Sequence, residues 1–204
     1  DTDRSRGLGD VYKKQDNTYV PLDASLGIRI NALPGFSIGL SGGYEICKKA
    51  LFLLPEDLDG KFTGVSRFWG IDANALKAEL DVSYRYGTKL EASAKVGYHR
   101  WKTADGGETI SYNRPQWEGG VNIRYMPVRP FTLEAGYEFA AGREYSNLGK
   151  LSDIHLVHLK ASYAFTSWFS LYGLTDNVLN RKYDILYGMP AQGINFMFGV
   201  DLKF

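Results

Sequence analysis

Hydrophobic and polar residues alternate along most of the chain. Between residues 76 and 86 the sequence LKAELDVSYRY puts every second residue, from Leu76 to Tyr86, on one apolar face, and charged residues fall mostly between them. A period of two is typical of a β-strand whose faces meet different environments. After residues 87–89 the alternation resumes through His99, so this region predicts a hairpin with a short turn.

The same pattern predicts about nine strands. The other alternating segments lie near residues 20–31, 36–44, 117–125, 131–139, 157–165 and 194–204, and residues 168–175 form a less regular segment with apolar residues on both faces. Their lengths of about ten residues suit a tilted crossing of a bilayer. Short connections (33–35, 87–89, 126–130, 166–167) alternate with long ones (47–70, 102–114, 142–152, 177–192). Short turns on one rim and long loops on the other are typical of outer-membrane barrels, in which the short turns are periplasmic.

Aromatic residues gather at the ends of the apolar face. Those beside the short turns are Tyr84, Tyr86, Tyr125, Phe131, Phe165 and Phe204; those toward the long connections are Tyr44, Tyr98, Trp117 and Tyr137. Two such girdles match the two interfaces of a membrane. We therefore predict an all-β, antiparallel, up-and-down transmembrane β-barrel. A soluble sandwich or soluble barrel is the alternative, because it would also alternate.

Composition excludes several other classes. The net charge of +1, with acidic and basic residues interspersed, does not favour a nucleic-acid partner. No apolar run approaches the 20 or so residues of a transmembrane helix. The single Cys47 excludes an internal disulfide framework and a cysteine-rich zinc site. We expect no cofactor and no metal. Because the sequence opens with Asp-Thr-Asp, we expect either a removed signal peptide or an internal fragment.

The C-terminal segment carries the most specific motifs. Gly199, Leu202 and Phe204 match a terminal signal read by the outer-membrane assembly machinery. Upstream, two groups of residues match a longer pattern: Asn177, Leu179, Asn180 and Tyr183, then Tyr187, Gly188, Pro190 and Gly193. With them, residues 176–204 resemble the closing hairpin of TonB-dependent outer-membrane transporters. The wording of residues 190–196 resembles Bacteroidetes members of that family.

The resemblance implies uptake of a scarce nutrient such as a siderophore, haem, cobalamin or glycan. It also implies a plug domain and a contact with TonB, through parts absent from these 204 residues. The whole chain then reads as one partial barrel domain of a 22-stranded barrel. Nine crossings is an odd number, so a periplasmic C-terminus predicts that residues 1–17 are the tail of an extracellular loop. The alternative is a complete barrel of eight or ten strands, acting as an adhesin or an envelope-complex subunit without transport.

The polar face holds the candidate ligand-contacting residues. They are Glu45, Glu79, Arg85, Lys95, His99, Glu118, Arg124 and Glu138. The competing interpretation is that opposite charges on neighbouring strands simply pair with one another. His155 and His158 are three positions apart, so in a strand they should point to opposite faces and cannot share a metal. His99 and Asp105 form the only candidate pair for hydrolytic chemistry, and we predict that the chain is not an enzyme.

The connection from residue 47 to 70 is apolar and aromatic, with Ala50 to Leu54 and the pair Phe68 and Trp69. An exposed loop of this kind could grip a ligand or a surface lipoprotein. It could equally fold back over the lumen as a packing element. The outer face of the strands would contact membrane lipid.

Overall fold

The computed structural model describes residues 18–59, 61–106, 109–110, 114–144 and 149–203. Its strands are β1 Tyr19–Leu33, β2 Phe36–Leu58, β3 Lys61–Tyr86, β4 Leu90–Thr103, β5 Thr109–Ile110, β6 Trp117–Val128, β7 Phe131–Ala141, β8 Ile154–Ala164, β9 Phe169–Asp176, β10 Asp184–Leu186, β11 Met189–Pro190 and β12 Asn195–Leu202. The described residues contain no helix that is long and apolar enough to cross a membrane. Residues 1–17, predicted as a loop tail, lie outside the described residues.

Nine of these strands form one antiparallel meander. Their order is β1-β2-β3-β4-β6-β7-β8-β9-β12, and each is hydrogen-bonded to the next. The short strand β5 pairs with the end of β4, whereas β10 and β11 form a separate two-stranded sheet. The predicted up-and-down all-β architecture and its nine strands are confirmed.

The two faces of this sheet differ as the alternation predicts. Side chains on the apolar face are bare: Leu26 on β1 is 84% exposed and Phe198 on β12 is 81% exposed. On the opposite, concave face, polar residues from β3 to β9 border one open hollow, among them Arg85, Glu91, Ser93, Asn122, Arg124, Glu134, His158, Lys160 and Asp176. In the described part of the chain no second sheet covers the apolar face, as a soluble sandwich would require. We call the concave face the inner face and the apolar face the outer face.

The prediction of a long loop from 47 to 70 is wrong. β2 and β3 continue as a paired hairpin of 23 and 26 residues, well beyond the 9–11 or so needed to cross a bilayer. The reason is a bulge between Cys47 and Ala50, where Lys49 has a φ of 53°. An extra residue in one strand shifts the parity of the faces. Glu45 and Cys47 face inward before the bulge, Ala50 and Phe52 after it, so the period of two breaks although the strand continues.

The other long connections also contain pairing. β5 lies within the predicted loop 102–114, residues Glu144 and Lys150 form an isolated bridge within 142–152, and β10 and β11 lie within 177–192. The segment near 168–175, where both faces looked apolar, is β9. Its inner face carries Tyr172, whose ring lies 5.5 Å from the Lys160 ammonium.

Few side chains are fully buried, as expected for one curved sheet. The apolar cluster lies on the inner face, at the end of β2 to β4 that is remote from the short turns. It contains Cys47, Ala50, Phe52, Ala73, Ala75, Trp101 and Ile110, and is called the rim cluster below.

Candidate functional site

Charges on the inner face form ion pairs between strands, mostly between neighbours and in one case, Arg29 with Asp81, across the intervening strand β2. The guanidinium of Arg29 lies 2.9 Å from the Asp81 carboxylate. The remaining pairs along the wall are Lys95 with Glu79 at 2.8 Å, Arg85 with Glu91 at 3.0 Å, Arg124 with Glu134 at 3.6 Å, and Lys160 with Glu134 at 3.7 Å. The candidates Glu79, Arg85, Lys95 and Arg124 therefore lie on the inner face as predicted, and each is part of an ion pair. Half-exposed pairs of this kind contribute little stability, but they leave a wall without a large net charge.

Glu45 is engaged from two sides. Lys77 forms an ion pair with it, and the Cys47 thiol donates a 2.7 Å hydrogen bond to its Oε1. Burial raises the pKa of the Cys47 thiol to about 11, and the hydrogen bond to the Glu45 carboxylate acts in the same direction. Glu45 thus anchors the inner edge of the rim cluster, and a ligand would have to displace Lys77 to reach it.

Histidines continue the wall further round the sheet. His99 Nε2 lies 3.3 Å from Glu118 Oε1. His158 lies between two carboxylates, with Nε2 3.7 Å from Glu138 and Nδ1 3.1 Å from Asp176. The candidates His99, Glu118 and Glu138 are thus all in contact with an oppositely charged or ionisable partner on the next strand.

Of the two other predictions about histidines, one is confirmed and one is wrong. His155 hydrogen-bonds at 2.8 Å to Tyr137 on the outer face, so the prediction that His155 and His158 point apart is confirmed. The pairing of His99 with Asp105 is wrong, since Asp105 accepts a hydrogen bond from Thr103 while His99 contacts Glu118. Across the described ranges, no group of three or more His, Cys, Asp or Glu side chains is placed to hold a metal ion.

Arg114 covers the rim cluster. Its guanidinium carbon lies 4.7 Å from the centre of the Phe52 ring and 4.5 Å from that of Trp101. The two rings meet edge to face at 5.8 Å, and the backbone of Ile110 pairs with that of Trp101. Burial lowers the pKa of Arg114. The connection between β4 and β6 therefore turns inward over the wall. Sequence reasoning missed this, since it considered an inward fold only for residues 47–70, as one of two open alternatives.

The aromatic pair of the projecting hairpin remains exposed. Phe68 is 71% exposed and Trp69 is 59% exposed, and as neighbours in β3 they point to opposite faces. A ligand-gripping or lipoprotein-binding role for this hairpin stays a prediction.

The motif residues near the C-terminus build a hydrogen-bonded turn. Asn177 is buried and adopts a left-handed φ of 50°. Its side-chain amide donates to the carbonyl oxygens of Arg181 and Gln192 at 2.9 and 3.3 Å, and its Oδ1 accepts from the Arg181 amide at 2.9 Å. Asparagine is favoured here because it tolerates a positive φ and bonds nearby backbone.

A second asparagine completes this turn. Asn180 has a φ of 48°, and its Oδ1 accepts a 3.1 Å hydrogen bond from the Ile194 amide. A Cβ at Gly193 would lie only 2.7 Å from that oxygen, so the approach requires glycine. The residues that carried the family resemblance are therefore those that tie the end of β9 to the start of β12.

Arg143 joins two connections on the same rim. It is only 4% exposed, and its guanidinium donates to the carbonyl oxygens of Ile185 at 2.6 Å and Ser152 at 3.4 Å. Burial lowers the pKa of Arg143. Nothing in the local sequence distinguishes this arginine from an exposed loop residue, so sequence reasoning missed it.

Solved structures with a similar fold are outer-membrane transporters and receptors. It superposes on "Copper transporter OprC" with a TM-score of 0.72 at 15% identity, covering 95% of this chain and 32% of that one. The fold is that of a receptor-barrel wall. The ferric-catecholate import receptor Fiu from E. coli K12 gives 0.67 at 11% identity, and the siderophore receptor PiuA from Acinetobacter baumannii 0.66 at 12%. Each covers 89% of this chain, and 27% and 28% of the receptor.

The chain thus spans between a quarter and a third of the full chain length of the solved structures that it matches. This confirms, for the fold, the resemblance of residues 176–204 to TonB-dependent outer-membrane transporters. No family model and no curated protein matches the sequence. The Bacteroidetes origin stays a prediction.

Proposed function

We propose that this chain forms nine strands of the wall of a TonB-dependent receptor that imports a scarce nutrient across a bacterial outer membrane. One observation carries the proposal: 95% of this chain superposes on part of a solved structure described as a copper transporter. The nine-stranded sheet is apolar and exposed on its outer face and carries ion pairs on its inner face. An apolar outer band and a polar lumen are what a barrel in lipid requires.

The two edges of the sheet support a larger assembly. Within the described residues, β1 pairs only with β2, and β12 pairs only with β9. Each backbone group left unpaired in hydrocarbon costs several kcal/mol, so spanning strands occur in closed barrels. The remaining strands, the plug domain and the TonB contact belong in this proposal to the rest of a longer polypeptide, in which residues 1–204 are one part of the barrel domain.

The orientation follows the usual arrangement of such barrels. The short turns and the C-terminus are periplasmic, and the rim cluster and the long β2–β3 hairpin are extracellular. The assembly machinery would read β12, where Leu202 faces outward and a Cβ at Gly199 would overlap the Tyr172 ring. Phe204, the third residue of the proposed signal, lies outside the described residues.

The cargo is best sought among metals and their chelates. The solved relatives are described as a copper transporter, a ferric-catecholate import receptor and a siderophore receptor. Of the nutrients that the resemblance implies, a ferric siderophore is the first to test; haem, cobalamin and a glycan follow. The candidate contacts are the inner-face residues Glu45, Glu79, Arg85, Lys95, His99, Glu118, Arg124 and Glu138.

The projecting hairpin favours the second candidate function, an adhesin or a subunit of an envelope complex. Its exposed Phe68 and Trp69 could bind another protein, such as a surface lipoprotein. Such a barrel would be complete at eight to ten strands and would have no transport cycle.

Two measurements separate these functions. Electrophoresis of outer membranes, with and without heating, should show a polypeptide several times heavier than 22.9 kDa. Deletion of the gene should abolish uptake of radioactive iron chelates, or of copper, in nutrient-limited cells, and a protonophore should block uptake in the parent strain. A heat-modifiable species at about the chain's own mass, with unchanged uptake, would favour the small barrel instead.

A further inference from the structure

Cations are distributed unequally between the two faces of the sheet. Six cations along the inner wall, between the short turns and the rim cluster, each have a carboxylate partner: Arg29, Lys77, Arg85, Lys95, Arg124 and Lys160. Arg100 and Lys102 on β4 differ, since neither has an ion-pair partner among the described residues. Arg100 is exposed and Lys102 is partly exposed.

The register places these two cations on the outer face. β3 and β4 pair without a shift from Tyr86–Leu90 to Ala73–Thr103. Within that ladder the outward positions of β4 are Leu90, Ala92, Ala94, Val96, Tyr98, Arg100 and Lys102. The apolar outer face therefore ends at Tyr98, and the next two outward positions are cationic.

The aromatic pair beneath them marks the membrane interface. The rings of Tyr98 and Trp117 lie 4.7 Å apart on neighbouring strands. Residues 90–98 provide roughly the length that a tilted strand needs to cross the hydrocarbon. At about 3.3 Å per residue, Arg100 and Lys102 lie about 7 and 13 Å further along the strand. With a tilt of about 40°, Arg100 lies about 5 Å above the girdle, within a head-group layer about 5–7 Å thick. Lys102 lies about 10 Å above the girdle, from where its long side chain can extend back to that layer.

The carboxylate of Asp72, on the same face, is engaged by other groups. The backbone oxygen of Asp72 accepts from Ala104, which puts Asp72 just beyond Lys102 on the neighbouring strand. Its carboxylate is held at 2.9 Å by the Lys48 ammonium and at 2.9 Å by the Lys49 amide. Within the described part of the chain, Arg100 and Lys102 are thus two cations without a carboxylate partner, directly above an aromatic girdle.

We propose that Arg100 and Lys102, with Tyr98 and Trp117 beneath them, form a docking surface for the phosphate groups of an anionic lipid in the leaflet next to the long loops. Guanidinium and ammonium groups bind phosphate strongly, and the rings suit the boundary between acyl chains and head groups. The inference rests on the membrane location in the proposed function, but not on transport. Because the surface is continuous with the bare apolar face, a lipid is the occupant that the structure favours.

The test uses the full-length receptor purified in detergent, with lipopolysaccharide as the probe. The double variant Arg100→Gln/Lys102→Gln should bind it about 25-fold more weakly, since one cation near an anionic surface contributes about fivefold. Binding by the wild type should weaken with salt, and lipopolysaccharide stripped of its phosphates should bind as weakly as the variant does to the intact lipid. The matched control Arg29→Gln/Lys160→Gln removes the same charges from the inner face and should retain wild-type affinity.

Each contrary result overturns the proposal. Unchanged affinity in the outer-face variant, an equal loss in the inner-face control, or equal binding of phosphate-free lipid would each exclude a phosphate-docking surface. If the outer-face variant changed the oligomeric mass of the receptor and left its lipid affinity unchanged, a protein would be the partner that covers these residues. Heat-modified migration of every variant confirms folding. Lipid binding without nutrient uptake would contradict transport and leave this inference standing, whereas recovery of the protein in the soluble fraction would contradict both.

Discussion

The guanidinium carbon of Arg114 lies 4.5 Å from the centre of the Trp101 ring. This contact ties the connection between β4 and β6 to the inner face, at the rim that we propose to be extracellular. The same guanidinium also lies over Phe52, on β2. One residue from a connection thereby joins two strands and closes the rim cluster from above.

Arg114→Ala should loosen this connection. A partly desolvated cation–π contact contributes about 1–2 kcal/mol, and here Arg114 stacks on two rings. We expect faster hydrogen exchange at residues 104–116 and faster proteolysis there, with little change at the short turns. Arg114→Lys keeps the charge but lacks the planar group, so it should give an intermediate effect. Wild-type exchange rates in Arg114→Ala would contradict a structural role for the stack.

Cys47 should be unreactive at neutral pH. Its side chain is 3% exposed, and burial raises its pKa in the folded protein from the ordinary thiol value of about 9 to about 11. The stabilisation from the protonated thiol is complete below about pH 9 and is lost as the pH rises toward 11. Labelling by a maleimide at pH 7.5 should therefore be slow before denaturation and fast after it.

The pH dependence of unfolding provides the control for Cys47. Cys47→Ala should abolish the loss of stability of the rim cluster between pH 9 and 11, measured by hydrogen exchange or proteolysis with rates corrected for pH. Rapid labelling of the folded wild type at pH 7.5 would show that the thiol is accessible.

Substitution of Asn177 should destabilise the folded protein more than is usual for a residue in a turn. Asn177→Ala removes three hydrogen bonds and places a residue with a Cβ but no polar group at a φ of 50°. Unpaired backbone groups there should cost about 1–3 kcal/mol. The temperature at which the fast-migrating folded form disappears on electrophoresis should fall.

A glycine variant separates the two causes. Asn177→Gly restores the backbone freedom but not the hydrogen bonds, so it should recover only part of the loss. Full recovery by glycine would assign the whole effect to backbone conformation and none to the side-chain bonds.

Gly119 and Gly42 form a matched pair on the outer face. A Cβ at Gly119 would overlap the Lys95 carbonyl oxygen and lie 2.9 Å from the Phe139 ring, whereas a Cβ at Gly42 would have its nearest neighbour at 3.7 Å. Gly119→Ala should therefore destabilise the sheet by about 1–3 kcal/mol, because a backbone atom cannot move aside as a side chain can. Gly42→Ala should be neutral. Equal melting temperatures on electrophoresis for the two variants would contradict the close approach of β4 and β6.

The predictions that failed have a common cause. The hairpin formed by β2 and β3 was taken for a loop because the bulge after Cys47 shifts the outward residues by one, and a search for a period of two stops there. The His99–Asp105 pairing was inferred from their proximity in the sequence. In the sheet, residue 99 lies beside β6, so its partner is Glu118.

The alternating pattern by itself determined most of the strands, their two faces and the aromatic ends of the apolar face, and hence the fold of a barrel wall, because side-chain direction in a strand depends only on local parity. The closing motif predicted the family fold, since its asparagines and glycine form contacts within one short segment. Only the tertiary structure decided that Arg114 covers Phe52 and Trp101, and that the cations along the inner wall are paired whereas Arg100 and Lys102 have no ion-pair partner among the described residues. Those relationships depend on register and on connections that fold across several strands, and no local pattern encodes either.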